Sequence, residues 1–501
     1  MKSIRRLFAR LLLSALTGIL SVPAASQTLA PASENRGQKM PVTTASPSAA
    51  QHFEAGMVNF ENHRWNLALQ DWREAVKLDP NFALAYAWIC FDTSDPAEET
   101  IARNKARATM NSASAGEQLM IRWIIDVHEN NYVEAIAAMN DLAAVYPGDK
   151  RVNFLVGYWL YRQDQYDLSR KFTQRALALD PAYATAYNQL GYLYSRSGDY
   201  DRALEALGKY VQLLPREPNP HDSYAEVLRL SGRYNEALEE YRTALRIDPT
   251  FYISQKELGE TYSLMGDEER ARVEYVKAVH DAPYSGVKAE YLQKLALTWV
   301  REKKFVQADK AYRDAADQAK AMQQWVWQAR AYRLMAMYQP DSAIANQELD
   351  QAGQLLQSHK DDVDKVDFDE ERARILRVRV ERNLPASPKA PVSPAAQSAL
   401  GELEKLTASG ASVNIERTYH GASGAQLKAQ QNYNLAIAHL EEDSINPLSM
   451  KLLVIAYRKT HAVAQAANMA RTLMLWKIPS MEEVLTVQAF RAQETAVTAK
   501  K

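Results

Sequence analysis

The chain of 501 residues contains one cysteine, Cys90, so no disulfide can close within it and helix packing alone is expected to hold the fold. Acidic and basic residues nearly cancel, 61 against 60, which removes any general electrostatic case for nucleic acid or an anionic membrane surface. Catalytic and metal signatures are also missing. None of the nine histidines forms an H-E-x-x-H, and His420, His439 and His461 lack helical ligand spacing, so each reads as a surface or capping residue. Ser285-Gly286-Val287-Lys288 has the S-x-x-K form without its S-D-N partner, and only Lys459-Thr460-His461 echoes K-T-G. Gly421-Ala422-Ser423-Gly424 lacks the order of a phosphate loop and reads as a flexible turn. Adjacent acids such as Glu239-Glu240 diverge on a helix and cannot share a proton. The expectation is a non-enzyme without metal or cofactor. Cys90, among Tyr86, Trp88 and Ile89, is expected to be an inert packed thiol.

Bulky residues are scarce again from Gln27 to Ala50, a Pro/Ser/Thr/Ala stretch read as a flexible leader. Before it, Lys2, Arg5, Arg6 and Arg10 precede an apolar run from Leu11 to Val22, then Ala24 and Ser26 at an A-x-A site. That order is an export signal over residues 1–26, with the mature chain starting at Gln27. The run falls short of the roughly 20 residues of a spanning helix, so no membrane span is expected after removal. Arg5-Arg6-Leu7-Phe8 also fits a twin-arginine signal, but the general secretory route is the plainer reading. No cysteine stands at the cut to carry a lipid anchor.

What the chain does have is period. Pro147, Pro181, Pro215, Pro249 and Pro283 recur every 34 residues, with Pro80 one residue out of step. Fifteen residues upstream stand Trp65, Tyr132, Tyr166, Tyr200 and Tyr234, with Glu268 the exception. Seventeen upstream stand His63, Asn130, Asp164, Gly198, Gly232 and Gly266, types that tolerate a left-handed backbone. Small residues form further columns, Gly56, Gly157, Gly191, Ala225 and Gly259, and Ala68, Ala135, Ala203, Ala237 and Ala271. Each unit is therefore a helix, a tight turn, a ring-led second helix and a proline stop, close-packed through small residues.

Through motifs such as YNQLGYLYSRSGDYDRALEALGKYVQLLP the chain resembles a tetratricopeptide repeat protein. The resemblance implies an all-α, right-handed α-solenoid with a smaller helical C-terminal cap. The solenoid is assigned to residues 51–383, regular over 113–283 and degenerate over 284–383. Residues 384–397, LPASPKAPVSPAAQ, read as a linker, 398–493 as a degenerate helical cap and 494–501 as a frayed tail. The run from Asp361 to Arg382, acids first and arginines last, suits a helix dipole and is expected to be a solvated closing helix.

The family's binding groove is lined by fixed positions of the first helices. Here these give Phe154, Tyr158, Tyr161, Arg162, Asn188, Tyr192, Arg196 and Arg229 as the candidate peptide groove. Tyr158 and Tyr192 are one period apart, as are Arg162 and Arg196, so stacked repeats would align them as ladders suited to an extended peptide with carboxylates. The Lys/Asn clamp of chaperone-binding members is absent, Phe53 and Met57 standing at its positions in the first unit. The expected role is an exported bacterial scaffold, periplasmic or secreted, that binds protein or peptide partners. The alternative is a periplasmic assembly or export factor, as in polysaccharide secretion or envelope biogenesis.

Overall fold

The computed structural model describes residues 39–498, apart from 94, 130, 386 and 409–411. The export signal, the leader up to 38, the turn residue Asn130 and the last three residues lie outside them. The described residues hold 25 α-helices and no strand. Contacts divide the chain into two compact units at Ser231, not at the Pro/Ala segment 384–397, which lies inside the second unit.

The first unit runs α1 (Pro47–Glu61), α2 (Trp65–Leu78), α3 (Ala83–Asp92), α4 (Pro96–Thr109), α5 (Ala115–His128), α6 (Tyr132–Val145), α7 (Lys150–Arg162), α8 (Tyr166–Leu179), α9 (Ala184–Arg196), α10 (Tyr200–Leu213) and α11 (Pro218–Ser231). The second runs α12 (Tyr234–Ile247), α13 (Tyr252–Leu264), α14 (Glu268–Asp281), α15 (Ser285–Arg301), α16 (Phe305–Ala321), α17 (Trp325–Tyr338), α18 (Ser342–Ser358), α19 (Lys365–Arg382), α20 (Pro394–Ala408), α21 (Val413–Ala429), α22 (Tyr433–Glu442), α23 (Pro447–Lys459), α24 (Val463–Met474) and α25 (Met481–Thr498).

The repeat columns become contacts. Trp65, Tyr132, Tyr166, Tyr200 and Tyr234 each open a second helix, and so does Glu268. Two residues before those starts, His63, Asp164, Gly198, Gly232 and Gly266 hold positive φ, the left-handed bend that reverses the chain. The alanine column is fully buried from Ala68 to Ala271. A Cβ on Gly56 would stand 2.4 Å from Trp72, and one on Gly191 2.5 Å from Leu207, each sixteen residues ahead on the partner helix. First helices of successive pairs touch, α7 with α9 and α9 with α11 in one unit, α15 with α17 and α17 with α19 in the other. They form an inner layer and the second helices an outer one.

Several expectations change. Residues 40–50 of the expected leader lie against the repeats, because backbone N–H groups there satisfy carboxylates on them. Met40 donates to Asp149 at 2.8 Å, Thr43 to Glu117 at 2.8 Å and Ala45 to Asp79 at 3.0 Å, and α1 starts at Pro47 under a Ser46 cap. Gly421 to Gly424 is no turn but the middle of α21, where Gly424 meets Leu440 and Gly421 clears Arg377 and Asp443. The charged run is solvated only in part, Asp361 and Asp364 being exposed. Glu371 on α19 is fully buried between Arg330, Arg333 and Arg374, and Arg377 is buried against Asp443. The tail stays helical to Thr498, with Glu494 paired to Arg458 at 2.8 Å. Among the described residues no helix is long and apolar enough to cross a membrane.

Candidate functional site

The inner layer of the first unit carries the candidate groove. On α7, Tyr158, Tyr161 and Arg162 are half-buried; on α9, Tyr192 is half-buried and Arg196 exposed. The spacing of 34 puts Tyr158 and Tyr192 on matching faces of adjacent first helices. Tyr192 donates its hydroxyl to Glu226 on α11 at 2.8 Å, and Arg196 donates its Nε to the Tyr161 hydroxyl at 3.2 Å. Burial raises the Tyr158 and Tyr192 hydroxyls above the usual phenol range; the Arg162 charge tempers the first, and the Glu226 and Asp222 carboxylates reinforce the second. Both rings stay neutral donors at neutral pH. Acidic Asp92, Asp222 and Glu226 among Arg162 and Arg196 make the face mixed in charge.

Three of the expected groove residues are not open. Phe154 is in the core, edge-on to Tyr183 with centroids 5.6 Å apart, and Arg229 is buried. Asn188 is covered by the turn between α1 and α2, donating from Nδ2 to His63 Nε2 at 3.1 Å. That turn lies across α7 and α9. Tyr183 and Arg151 donate to the Glu61 carboxylate at 2.8 and 2.6 Å, Thr185 donates to the Glu61 carbonyl at 2.9 Å, and Arg64 pairs with Glu217. The first repeat thus roofs one end of the inner face, through contacts that span 90 to 153 residues of chain. Its one local signal is His63, a bulky side chain where most units carry Gly, Asn or Asp.

Two titrating groups make this face sensitive to pH in opposite senses. Burial pushes the Asp92 carboxyl, at the end of α3, up to about 7. Between pH 4 and 7 the unfolded chain releases this proton and the folded chain keeps it, so stability falls as pH rises through that window. Burial lowers His63 to about 4, so it stays neutral when folded and its contribution is lost as pH falls from 6.5 towards 4. Asp92→Asn is expected to match the parent at pH 4 and to exceed it by roughly 2 kcal/mol at pH 8, read from urea unfolding at each pH. A constant difference across that range would contradict the assignment.

Elsewhere, the fold gathers groups that spacing kept apart. Cys90 Sγ, the Glu99 carboxylate and a His128 ring nitrogen lie within 4.8 Å of one another, the sulfur, oxygen and nitrogen set that a divalent ion such as zinc takes. Arg103 occupies the same Glu99 oxygen that faces His128, at 2.9 Å, and burial pushes the thiol up to about 12. Hydrogen bonds thus join Glu99 on α4 to His128 on α5, with the Cys90 thiol of α3 packed beside them. His420 and His439 meet at 3.0 Å across α21 and α22 beside Tyr419, and burial together with the neighbouring His420 lowers His439. A pocket of about 380 Å³ between α18, α19 and α20 of the second unit is bridged by the Arg372–Glu402 pair.

Paired antiparallel helices, a left-handed turn within the pair and an inner layer of first helices define a helical-repeat solenoid. The family described as "TPR repeat" matches residues 225–266, and that described as "Tetratricopeptide repeat" matches 172–205. The chain is a tetratricopeptide repeat protein. Similar solved structures include PilW, described as a widely conserved type IV pilus biogenesis factor, at 16% identity and TM-score 0.31 over 49% of this chain and 98% of that one. TTC0263, a thermophilic TPR protein of Thermus thermophilus, gives 21% and 0.30 over 36% and 96%. YrrB, a TPR protein with an unusual peptide-binding site, gives 17% and 0.29 over 36% and 92%. Likeness at these values says nothing of partners. No curated protein matches the chain.

Proposed function

We propose that this protein is an exported scaffold of the bacterial envelope or secreted space, and that it binds a peptide segment of a protein partner on the inner face of α7, α9 and α11. The observation that carries the reading is the half-buried aromatic and charged row formed by Tyr158, Tyr161, Arg162, Tyr192 and the exposed Arg196, flanked by Asp92 and Glu226. Neutral phenols offer rigid contact area at small entropic cost, and guanidinium groups offer forked donors to a carboxylate. A preformed face of this kind spares the scaffold the ordering cost of binding. The basic start, apolar run and small-residue cut of residues 1–26 support export.

Selection from a random peptide library tests it. Peptides enriched on the wild-type chain should bind the Tyr158→Ala/Tyr192→Ala double variant at least tenfold more weakly. Equal affinity for both chains would remove the peptide-groove reading and leave the repeat fold standing.

A further inference from the structure

The inner face of the second unit is already occupied, by the chain's own C-terminal segment. After α24 the backbone leaves helical geometry from Trp476 to Ser480 and crosses the first helices. Lys477 comes to the Gly232 turn, where a Cβ would meet its Nζ at 2.8 Å, and Lys294 on α15 donates to the Pro479 carbonyl at 3.2 Å. From there α25 runs over α15 and α17 to α23. Met481 enters the core shared by Ala296, Val300 and Tyr332, and Val484 and Leu485 pack against it. Further on, Val487 and Phe490 join Met450, Val454 and Leu473. The Glu483 carboxylate pairs with Arg301, both side chains almost fully buried.

The contact has the features of a ligand in a groove rather than of one more repeat. α25 touches the first helices of separate pairs, α15, α17 and α23. Apolar anchors fall at 481, 484, 487 and 490, a single helical stripe, with one acid aimed at one arginine. Satisfaction is incomplete, since Arg301 Nε and Thr486 Oγ1 are buried without a hydrogen-bond partner, the nearest charge to that Nε being the Glu268 carboxylate at 4.0 Å. The connector is held by polar contacts, Arg491 on α25 donating to the Met474 and Trp476 carbonyls at 2.8 and 2.6 Å, while its apolar Leu475 and Ile478 are left 64% and 52% exposed.

We propose that the inner face of the second unit is a receptor for an amphipathic helix bearing a buried acid two residues after its first apolar anchor, and that α25 is the resident occupant such a partner helix displaces. This extends the inner-face reading to a separate surface, and a failed Tyr158/Tyr192 test would leave it untouched.

The test uses the full chain and a fluorescent synthetic peptide of residues 478–498, read by anisotropy. Glu483→Arg sets like charge against Arg301 and should free the face. That variant is expected to bind the peptide at least tenfold more tightly than the wild-type chain, whose face is occupied in cis. A peptide carrying Glu483→Arg should lose that binding tenfold or more, and should instead bind the Arg301→Glu chain. Equal binding of the wild-type peptide to wild-type and Glu483→Arg chains, or to neither, with helix content unchanged by circular dichroism, would make α25 a fixed structural helix. Should Glu483→Arg lose helix content, hydrogen exchange of the wild-type chain decides. Faster exchange at 484–490 than at 289–297 supports displacement, and equal protection overturns it.

Discussion

Arg377→Ala is expected to lower the stability of the second unit by about 3–5 kcal/mol, the loss typical when one member of a buried ionic cluster is removed. The guanidinium donates to Glu381 at 2.8 Å, Asp443 at 2.7 Å and Ser449 at 3.0 Å, tying α19 to the end of α22 and the start of α23. Gly421 lets it pass, since a Cβ there would stand 2.5 Å from Arg377 Nη1. Burial opposes the charge on Arg377, yet the Glu381 and Asp443 carboxylates outweigh it and raise the guanidinium above its ordinary range. Truncation would leave the buried Asp443 carboxylate and the half-buried Glu381 carboxylate without their cation. Arg379→Ala, two residues on, is the control. Its partner Asp350 is mostly exposed, so about 1 kcal/mol or less is at stake. Repeat arrays unfold piecewise, so the Arg377 loss should appear as an early, separate phase in urea unfolding followed by circular dichroism. Equal midpoints for the two variants would contradict the cluster's role.

Gly56→Val in α1 should cost about 3 kcal/mol or more, because the position is closed. A Cβ would lie 2.4 Å from Trp72 Nε1 and 2.5 Å from Cδ1, and the indole is itself fully buried between Phe60 and Trp88. A rigid ring held on both sides has no cheap shift to offer, the condition under which overpacking is most costly. Gly208, inside α10, has nothing within 4 Å of its added Cβ. There Gly208→Ala should raise stability by about 0.5–1 kcal/mol through helix propensity alone. The two glycines thus carry opposite signs, and thermal unfolding of the pair of variants reads both. A stabilised Gly56→Val chain would refute the close contact.

What was legible in the sequence follows the range of each interaction. Helix starts at Trp65, Tyr132 and Tyr166 and the bends at Gly198, Gly232 and Gly266 are local, so residue type and period announce them. The same left-handed bend recurs at Lys303, Gln323, Gln431 and His461, each two residues before a helix. Their residue types hide it, because packing of the pair imposes the conformation that glycine would adopt freely. Long-range contacts left little local mark, His63 in the first turn being the exception. The roof of Glu61 to Arg64 over α7 and α9, the meeting of Arg377 with Asp443 and the return of Glu483 to Arg301 each depend on where repeats lie after stacking. Charge order made Arg377 and Arg379 look alike; burial separates them. The inner-face positions of Tyr158 and Tyr192 follow from the 34-residue period, while the covering of Asn188 follows from the first repeat's turn alone.

Photo-crosslinking in extract from cells that make the protein bears most directly on the claim that the inner face is the binding surface. Benzoyl-phenylalanine is placed at Tyr158 or Tyr192 on first helices, or at Val133 on the outer helix α6, a position 78% exposed. The account predicts a discrete adduct from positions 158 and 192 and none from 133. An adduct from Val133 with none from the two tyrosines would move the binding surface to the outer layer and contradict it.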